Sequence, residues 1–186
     1  MRRAITDLPK SGDEVLTDGP LKIAPVEAAD IDALAVLARE IWHAHYAAII
    51  SLAQIEYMLE QRYAPAILRR ELRLEGLWWD KLVAGGKMAG FASYYLTGVP
   101  GEMKIDKLYV HPLYQRRGYG KAMIERAHQV ALVRGCDRLV LAVNRNNAIA
   151  IAAYLKHGFR VAGAAVKDIG GGFVMDDYLM ERTVRD

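Results

Sequence analysis

The sequence contains few of the residues that mark secreted, metal-binding or membrane proteins. Cys136 is its only cysteine, so an intramolecular disulfide is impossible and a thiolate metal site has no support. No apolar run approaches the roughly 20 residues that a membrane-spanning helix requires. We therefore expect a protein of a reducing, cytoplasmic compartment, with no metal and no membrane partner.

An excess of charge of one sign is also missing. The chain has 25 Lys and Arg against 22 Asp and Glu, which leaves a formal charge of +3 at pH 7. Its basic residues form no stripe with interleaved aromatic residues, the pattern typical of nucleic-acid-binding surfaces. An RNA-binding role for Arg116 and Arg117 is therefore the least favoured function, and we expect no nucleic-acid partner.

The chain does have enough apolar residues for a sizeable core. They make up 53% of the 186 residues, which suits one compact domain. Residues 1–20 combine charges with Pro and Gly and contain no apolar signal core. We expect this segment to be a flexible tail, followed by a single domain over residues 21–186.

Hydrophobic periodicity in the first half predicts a strand and three helices. The strand is expected at residues 21–25, and the first helix follows an N-cap at Asp30. Ser51 and Gln54 have the spacing of a capping box at the start of the second helix. The third helix is predicted from Pro65 to residue 75.

The second half has strands that alternate with helices. Gly85 and Gly86 join two β-prone runs as a hairpin turn does. The elements predicted after this hairpin are strands at 104–110 and 138–143, helices at 118–134 and 147–157, and terminal strands at 159–163 and 173–180. The near-continuous apolar character of residues 138–143 predicts a strand buried on both faces. This order favours an α/β fold in which helices cover a mixed sheet.

The loop between the strand that ends at residue 110 and the next helix is the most informative segment. It reads QRRGYG, and glycines at a helix N-terminus with arginines nearby favour the binding of an anion. It is not a P-loop, because Gln115 occupies the first glycine position and Ala122 follows Lys121. It is not a dinucleotide fingerprint either, because Met123 stands at the third glycine position. The alternative is a plain strand-to-helix turn with solvated arginines.

Two motifs of the sequence resemble those of the GNAT superfamily of N-acetyltransferases. The pattern Gln-x-x-Gly-x-Gly, at residues 115–120, is similar to the loop with which the superfamily holds the pyrophosphate of acetyl-CoA. The pattern Asn-x-x-Ala-x-x-x-Tyr-x-x-x-Gly-Phe, at residues 147–159, is similar to its second motif, and the Asn, Ala and Tyr share one helix face. The resemblance covers residues 21–183 and is strongest at 104–159.

The resemblance implies a mostly antiparallel, twisted sheet flanked by helices, with the fourth and fifth strands splayed and acetyl-CoA bound in the gap between them. The residues that it assigns to acetyl-CoA are Leu108, Tyr109, Val110, Gln115, Arg116, Arg117, Gly118, Tyr119, Gly120, Lys121, Asn147, Ala150 and Tyr154. The Val110 N–H would polarise the thioester carbonyl as a small oxyanion hole. Ordinary strand packing also accounts for the side chains at 108–110.

Two catalytic residues are implied by the same resemblance. Acetyl transfer to an amine needs a base for the amine proton and an acid for the departing thiolate. Tyr154 is similar to the superfamily's acid, and Asp106 stands where relatives carry a base that acts directly or through water. A helical tyrosine is also typical of an amphipathic core. Asp106 is explained equally well by a pair with Lys104 or Lys107.

The acceptor cleft of this superfamily is framed by the first two helices. Trp42, His45 and Tyr46 are therefore expected to line it, with core packing as the alternative. His43 and His45 are two residues apart on a predicted helix and point in different directions, so this pair predicts no metal site.

The acceptor itself is expected to be a primary amine of a small, polyamine-like molecule, ahead of a peptide N-terminus. Asp106, Asp176 and Asp177 offer negative charge to such a cation, unless they are solvated or capping residues. A non-catalytic acyl-CoA-binding module of the same fold is the second functional class, and the retention of Tyr154 counts against it. A homodimer is compatible with the resemblance.

Overall fold

Residues 20–185, which the computed structural model describes, form seven β-strands and five α-helices. The strands are β1 (Lys22–Pro25), β2 (Leu77–Ala84), β3 (Lys87–Leu96), β4 (Glu102–Val110), β5 (Arg138–Asn144), β6 (Arg160–Gly170) and β7 (Phe173–Thr183). The helices are α1 (Ile31–Tyr46), α2 (Leu52–Tyr63), α3 (Pro65–Glu71), α4 (Tyr119–Val133) and α5 (Ala148–Lys156). In this part of the chain no helix is long and apolar enough to cross a membrane. The expected tail lies outside the described residues except for Pro20, and the single domain stays a prediction.

The strands form one mixed sheet in the order β1-β2-β3-β4-β5-β7-β6. Every neighbouring pair is antiparallel except β4 and β5, which are parallel. The mostly antiparallel sheet flanked by helices is therefore confirmed. The β2–β3 hairpin turns at Gly85 and Gly86, whose φ values of 57° and 77° a side chain would disfavour.

The parallel pair β4–β5 separates halfway along its length. Its register runs from Glu102 opposite Arg138 to Ile105 opposite Leu141 and stops there. Residues 106–110 of β4 therefore have no strand partner on the β5 side. A bulge begins at the same point, because the β3–β4 register skips Asp106. The sheet thus contains the splayed gap between its fourth and fifth strands.

Two apolar cores lie on opposite faces of the sheet. One packs α4 against β3, β4, β5 and β7, and its most buried members include Met103, Met123, Leu139 and Met180. The other packs α1, α2 and α3 against β2 and β3, and its most buried members include Ile31, Leu34, Ile41, Ile55 and Phe91. Each such side chain contributes about 1.5–3 kcal/mol by leaving water. The two cores hold the diverging strands from both sides.

The helices on the α1 face differ in detail from the sequence-based expectation. Ser51 caps α2, and its hydroxyl accepts a hydrogen bond from the Gln54 N–H (3.2 Å). The predicted capping box is wrong, because the Gln54 side chain donates to the Val174 carbonyl (2.9 Å) instead. Helix α3 ends at Glu71 rather than at residue 75. Gln54 therefore ties α2 to β7.

The prediction that β5 is buried on both faces is also wrong. Leu139, Leu141 and Val143 lie in the α4-side core, but Val140 is half-buried and Ala142 is exposed. Successive side chains of a strand point to opposite faces, so the exposed face of β5 is the one turned toward α1 and α2. We call this side of β5, which carries exposed Ala142, the open floor.

Candidate active site

The QRRGYG loop connects the end of β4 to the N-terminus of α4. Gln115 fastens the loop to the strand, because its Nε2 donates a hydrogen bond to the Val110 carbonyl oxygen (3.0 Å). Arg116 has φ 61° and Gly118 has φ 81°, both in the left-handed region. Alternation of right- and left-handed residues turns successive N–H groups toward one point, a geometry that binds anions. The arginine conformation is uncommon for a residue with a side chain.

The first turn of α4 adds further donors at the same place. The first N–H of this helix to reach a carbonyl one turn back is that of Ala122, which bonds Gly118 O (3.0 Å). The preceding N–H groups have no intrahelical acceptor and carry the positive end of the helix dipole. A Cβ added to Gly118 or Gly120 would meet no atom of a packing neighbour among residues 20–185 within 4 Å. The loop thus surrounds a free volume next to several unpaired donors.

The side chains of the loop have different roles. Arg116 and Lys121 are exposed and add positive charge beside the donors. The Arg117 guanidinium lies 5.9 Å from the centre of the Tyr114 ring. Tyr119 points the other way and is buried in the α4-side core, so this residue offers only its backbone to the loop.

Backbone groups of β4 point into the gap between β4 and β5. A Cβ added to Gly90 on β3 would lie 2.5 Å from the Tyr109 carbonyl oxygen, so that carbonyl points toward β3. Neighbouring residues of a strand direct their N–H and C=O groups to opposite edges. Leu108 and Val110 therefore direct theirs into the gap, where Gln115 already holds the Val110 oxygen. In the described part of the chain, no backbone hydrogen bond occupies the Val110 N–H or either backbone group of Leu108, which leaves them available to a ligand.

Helix α5 places Tyr154 beside this gap. The Asn147 side chain caps the helix by accepting a hydrogen bond from the Ala150 N–H (3.2 Å). The Tyr154 ring packs on Phe159, with 5.6 Å between ring centres. Burial raises the pKa of the Tyr154 hydroxyl to about 12, and no residue of 20–185 hydrogen-bonds to it. The hydroxyl is therefore protonated at neutral pH and free to donate.

An aromatic cluster closes the gap on the α1 side. The hydroxyls of Tyr46 and Tyr109 are 3.2 Å apart, and burial raises the pKa of each well above its usual value. Tyr154 and Asp177 also influence the pKa of Tyr46 electrostatically, so both groups lie within electrostatic range of that hydroxyl. Trp42 is 3% exposed and belongs to the core, as the alternative interpretation had it.

His45 stands at the edge of the same cluster. Its ring contacts Tyr46 edge-on, with 4.9 Å between centres. Burial lowers the pKa of His45, and a hydrogen bond with the Asn147 side chain opposes that shift. The imidazole is therefore uncharged at neutral pH. His43 points elsewhere and pairs with Glu56 on α2 (2.8 Å), and residues 20–185 contain no group of three side chains suited to a metal ion.

Asp106 lies in the bulge of β4, inside a group of buried charges. Its Oδ2 is 2.7 Å from Lys107 Nζ and 2.6 Å from an Arg62 nitrogen. Lys107, whose side chain is 2% exposed, also pairs with Glu71 (3.2 Å). Burial alone would raise the pKa of Asp106, but the charges and hydrogen bonds of Lys107 and Arg62 lower it to about 2. The geometry favours the structural interpretation of Asp106, because such a carboxylate is a poor base.

Asp176 and Asp177 lie on opposite faces of β7. Asp176 pairs with Arg145 (3.2 Å) beside Tyr178, on the face of the α4-side core. Asp177 is opposite Asn144 in the β5–β7 register and points to the face with the open floor. Because side chains alternate along the strand, only Asp177 faces the open floor. The sequence-based expectation, in which both aspartates offer charge to the acceptor, did not include this separation.

Known proteins share this fold and these sequence features. The sequence model of the acetyltransferase (GNAT) family matches residues 36–159. The chain is 27% identical over 168 residues to the spermidine N(1)-acetyltransferase of Thermoplasma acidophilum, which covers 87% of this chain and 96% of that protein. The chain is also 39% identical over 82 residues to the ribosomal protein bS18-alanine N-acetyltransferase of Escherichia coli. This match covers 44% of this chain and 54% of that protein. Among solved structures, the PaiA N-acetyltransferase of Thermoplasma acidophilum in complex with coenzyme A is similar with a TM-score of 0.76 and 25% identity, covering 88% of this chain and 99% of that one.

Proposed function

The chain belongs to the GNAT family of acetyltransferases, and we propose that it transfers the acetyl group of acetyl-CoA to a primary amine of a small molecule. One observation carries the proposal. The splayed gap, with unpaired backbone groups along β4, ends at a glycine loop whose free amides suit a pyrophosphate. A similar structure is described as a complex with coenzyme A, which supports the same ligand here.

The proposed contacts of acetyl-CoA follow from these free groups. The loop at 115–120 receives the pyrophosphate through its amides, while Arg116 and Lys121 neutralise part of its charge. The pantetheine arm pairs with the backbone of Leu108 and Val110 as an added strand would. Asn147 acts indirectly, because its side chain caps α5 and orients the turn that carries Tyr154.

The proposed reaction is direct attack of the amine on the thioester. The amine nitrogen forms a bond to the carbonyl carbon, the carbon–sulfur bond breaks, the nitrogen loses one proton and the sulfur gains one. The Val110 N–H stabilises the charge that develops on the carbonyl oxygen. Tyr154 donates the proton to the sulfur, since its hydroxyl is protonated and lacks another partner.

His45 is the proposed acceptor of the amine proton. Asp106 is unsuited to this role, because its pKa of about 2 lies far below that of an alkylamine, about 10.4. The imidazole of His45 is uncharged at neutral pH, packs edge-on against Tyr46 and interacts with the Asn147 side chain. A neutral imidazole is the most common general base in enzymes.

The acceptor is proposed to be a small polyamine-like molecule. The relative that aligns over most of both chains is described as a spermidine acetyltransferase. A peptide N-terminus is the second candidate, because the bS18-alanine N-acetyltransferase has the higher identity over its shorter match.

A screen of amines tests the proposal directly. Purified protein and acetyl-CoA are incubated with alkylamines, di- and polyamines and peptides with free N-termini, and release of free thiol is followed. We expect turnover with the di- and polyamines. Activity confined to peptides would favour the second candidate, and coenzyme A binding without thiol release from any acceptor would favour a non-catalytic module.

A further inference from the structure

The open floor of the cleft consists of residues from β5 and β7 that point away from the α4-side core. Leu141, Val143 and Met180 are buried in that core. Their strand neighbours alternate to the opposite face, so exposed Ala142, buried Asn144 and half-buried Asp177 share the side that faces α1 and α2. Asp177 is the acidic side chain of this patch.

The carboxylate of Asp177 lacks a partner in the described part of the chain. Its Oδ1 is buried and accepts no hydrogen bond, and no Lys, Arg or His of residues 20–185 lies within ion-pair distance. Burial raises the pKa of Asp177, and the more distant charge of Lys104 only partly opposes this. A buried carboxylate oxygen without a partner is costly, and a bound cation would remove that cost.

The surroundings of Asp177 fit an alkylammonium ion. The Tyr46 hydroxyl lies within electrostatic range of both Asp177 and Tyr154. Met175 lies two residues before Asp177 on the same face of β7, and its sulfur is 3.8 Å from the Gln54 amide of α2. Aromatic and thioether groups suit a methylene chain, and the carboxylate suits its charged end.

We propose that Asp177 recognises a second ammonium group of the acceptor, separated by an alkyl chain from the amine that is acetylated. This inference rests on the proposed function and identifies the residue that makes a diamine a better substrate than a monoamine. Asp177 is thus a specificity-determining residue and takes no part in the proton transfers.

The second ammonium, rather than the reacting one, is the proposed partner for a chemical reason. A reacting amine must be unprotonated to attack, whereas an ion pair with a carboxylate stabilises the protonated form. A carboxyl group also has a pKa several units below that of an alkylamine, so it removes that proton poorly. Asp177 therefore favours acetylation only by holding a charge that stays on the substrate.

Two amines of the same chain length test the proposal, n-butylamine and 1,4-diaminobutane. They differ only in the distal ammonium group. The variant is Asp177→Asn, and Asp176→Asn is its matched control, because the neighbouring aspartate points to the other face and pairs with Arg145. Thiol release gives kcat and KM for each amine, and calorimetry with coenzyme A verifies that each variant retains its fold and its cofactor site.

The parent should prefer the diamine. In Asp177→Asn the KM for 1,4-diaminobutane should rise about 10- to 100-fold, the usual value of a charge-assisted contact, while the constants for n-butylamine stay unchanged. Asp176→Asn should behave as the parent, and Asp177→Glu should recover part of the preference.

Four results would contradict this inference. Equal use of both amines by the parent, or a parental preference retained in Asp177→Asn, would show that Asp177 does not read the distal charge. Equal loss of kcat for both amines in that variant would place Asp177 at the reacting centre. Absence of thiol release from the parent with any amine would overturn the proposed function itself, and this inference with it.

Discussion

Asp106→Asn should destabilise the folded protein and leave its chemistry nearly intact. The carboxylate is held by Lys107 and Arg62, and its pKa falls from an ordinary 3.8 to about 2. At about 1.4 kcal/mol per pH unit, this shift corresponds to about 2 kcal/mol of folding stability. Removing the Asp106 charge also affects Lys107, whose side chain is almost fully buried. Glu71 is then the one carboxylate that still pairs with Lys107 among the described residues. We therefore expect a loss of about 2–4 kcal/mol.

The sign of the pH dependence follows from the lowered pKa. The stabilisation by Asp106 is complete above its unfolded pKa of about 4 and is lost as pH falls through about 2. Urea unfolding measures the unfolding free energy of both proteins from pH 7 downward. Tryptophan fluorescence follows the transition, because the centre of the Trp79 ring lies 4.7 Å from the Lys107 nitrogen. The difference in unfolding free energy between parent and variant should be constant near neutrality and shrink below about pH 4.

Asp32→Asn is the matched control for this variant. Asp32 also pairs with an arginine, Arg69 at 3.1 Å, but its side chain is 79% exposed. An exposed pair of this kind contributes at most about 1 kcal/mol. Unchanged stability of Asp106→Asn, combined with a loss of kcat of about 100-fold or more, would refute the structural role and restore Asp106 as the base.

The remaining predictions concern proton transfer. Tyr154→Phe retains the ring packing on Phe159 but removes the hydroxyl, so kcat should fall about 10- to 10⁴-fold with unchanged affinity for coenzyme A. Thiol release at saturating amine measures this, and a kcat equal to that of the parent would reject Tyr154 as the acid. His45→Gln should lower kcat about 10-fold or more. In the parent, kcat should decline as pH falls below about 6.5, because the base must be unprotonated and burial lowers the pKa of His45 from that ordinary value. The variant should lack this decline. A pH profile of kcat tests this, and an identical decline in the variant would assign it to another group.

Local sequence signals predicted the parts of the site that depend on neighbouring residues. The glycines at 118 and 120 were predictable because the backbone conformation at the start of a helix is decided within a few residues. The same holds for the Ser51 cap of α2. These local features are enough to predict where the loop, α4 and α5 lie in the sequence.

Features that depend on distant pairing were not predictable. The Arg62 partner of Asp106 is 44 positions away in the sequence and meets it only through the packing of α2 on the bulge. The open face of β5 looked buried, because composition alone does not show that the neighbouring strand diverges. The separation of Asp176 from Asp177 likewise requires the register of β7. Long-range geometry therefore determines the acceptor side of the site.

The most direct test of the account is coenzyme A binding by Gly120→Val. In the parent the free volume at Gly120 is the proposed position of the pyrophosphate. An added Cβ meets no packing neighbour from residues 20–185 within 4 Å, so the fold should tolerate the change. Gly98→Val is the control, since that glycine has equally open surroundings and lies in the β3–β4 loop. Calorimetry should show an affinity about 10²- to 10⁴-fold lower in Gly120→Val, as the loss of two charge-assisted hydrogen bonds implies, and no change in Gly98→Val. A folded Gly120→Val protein that binds coenzyme A as tightly as the parent would contradict the assignment of the loop.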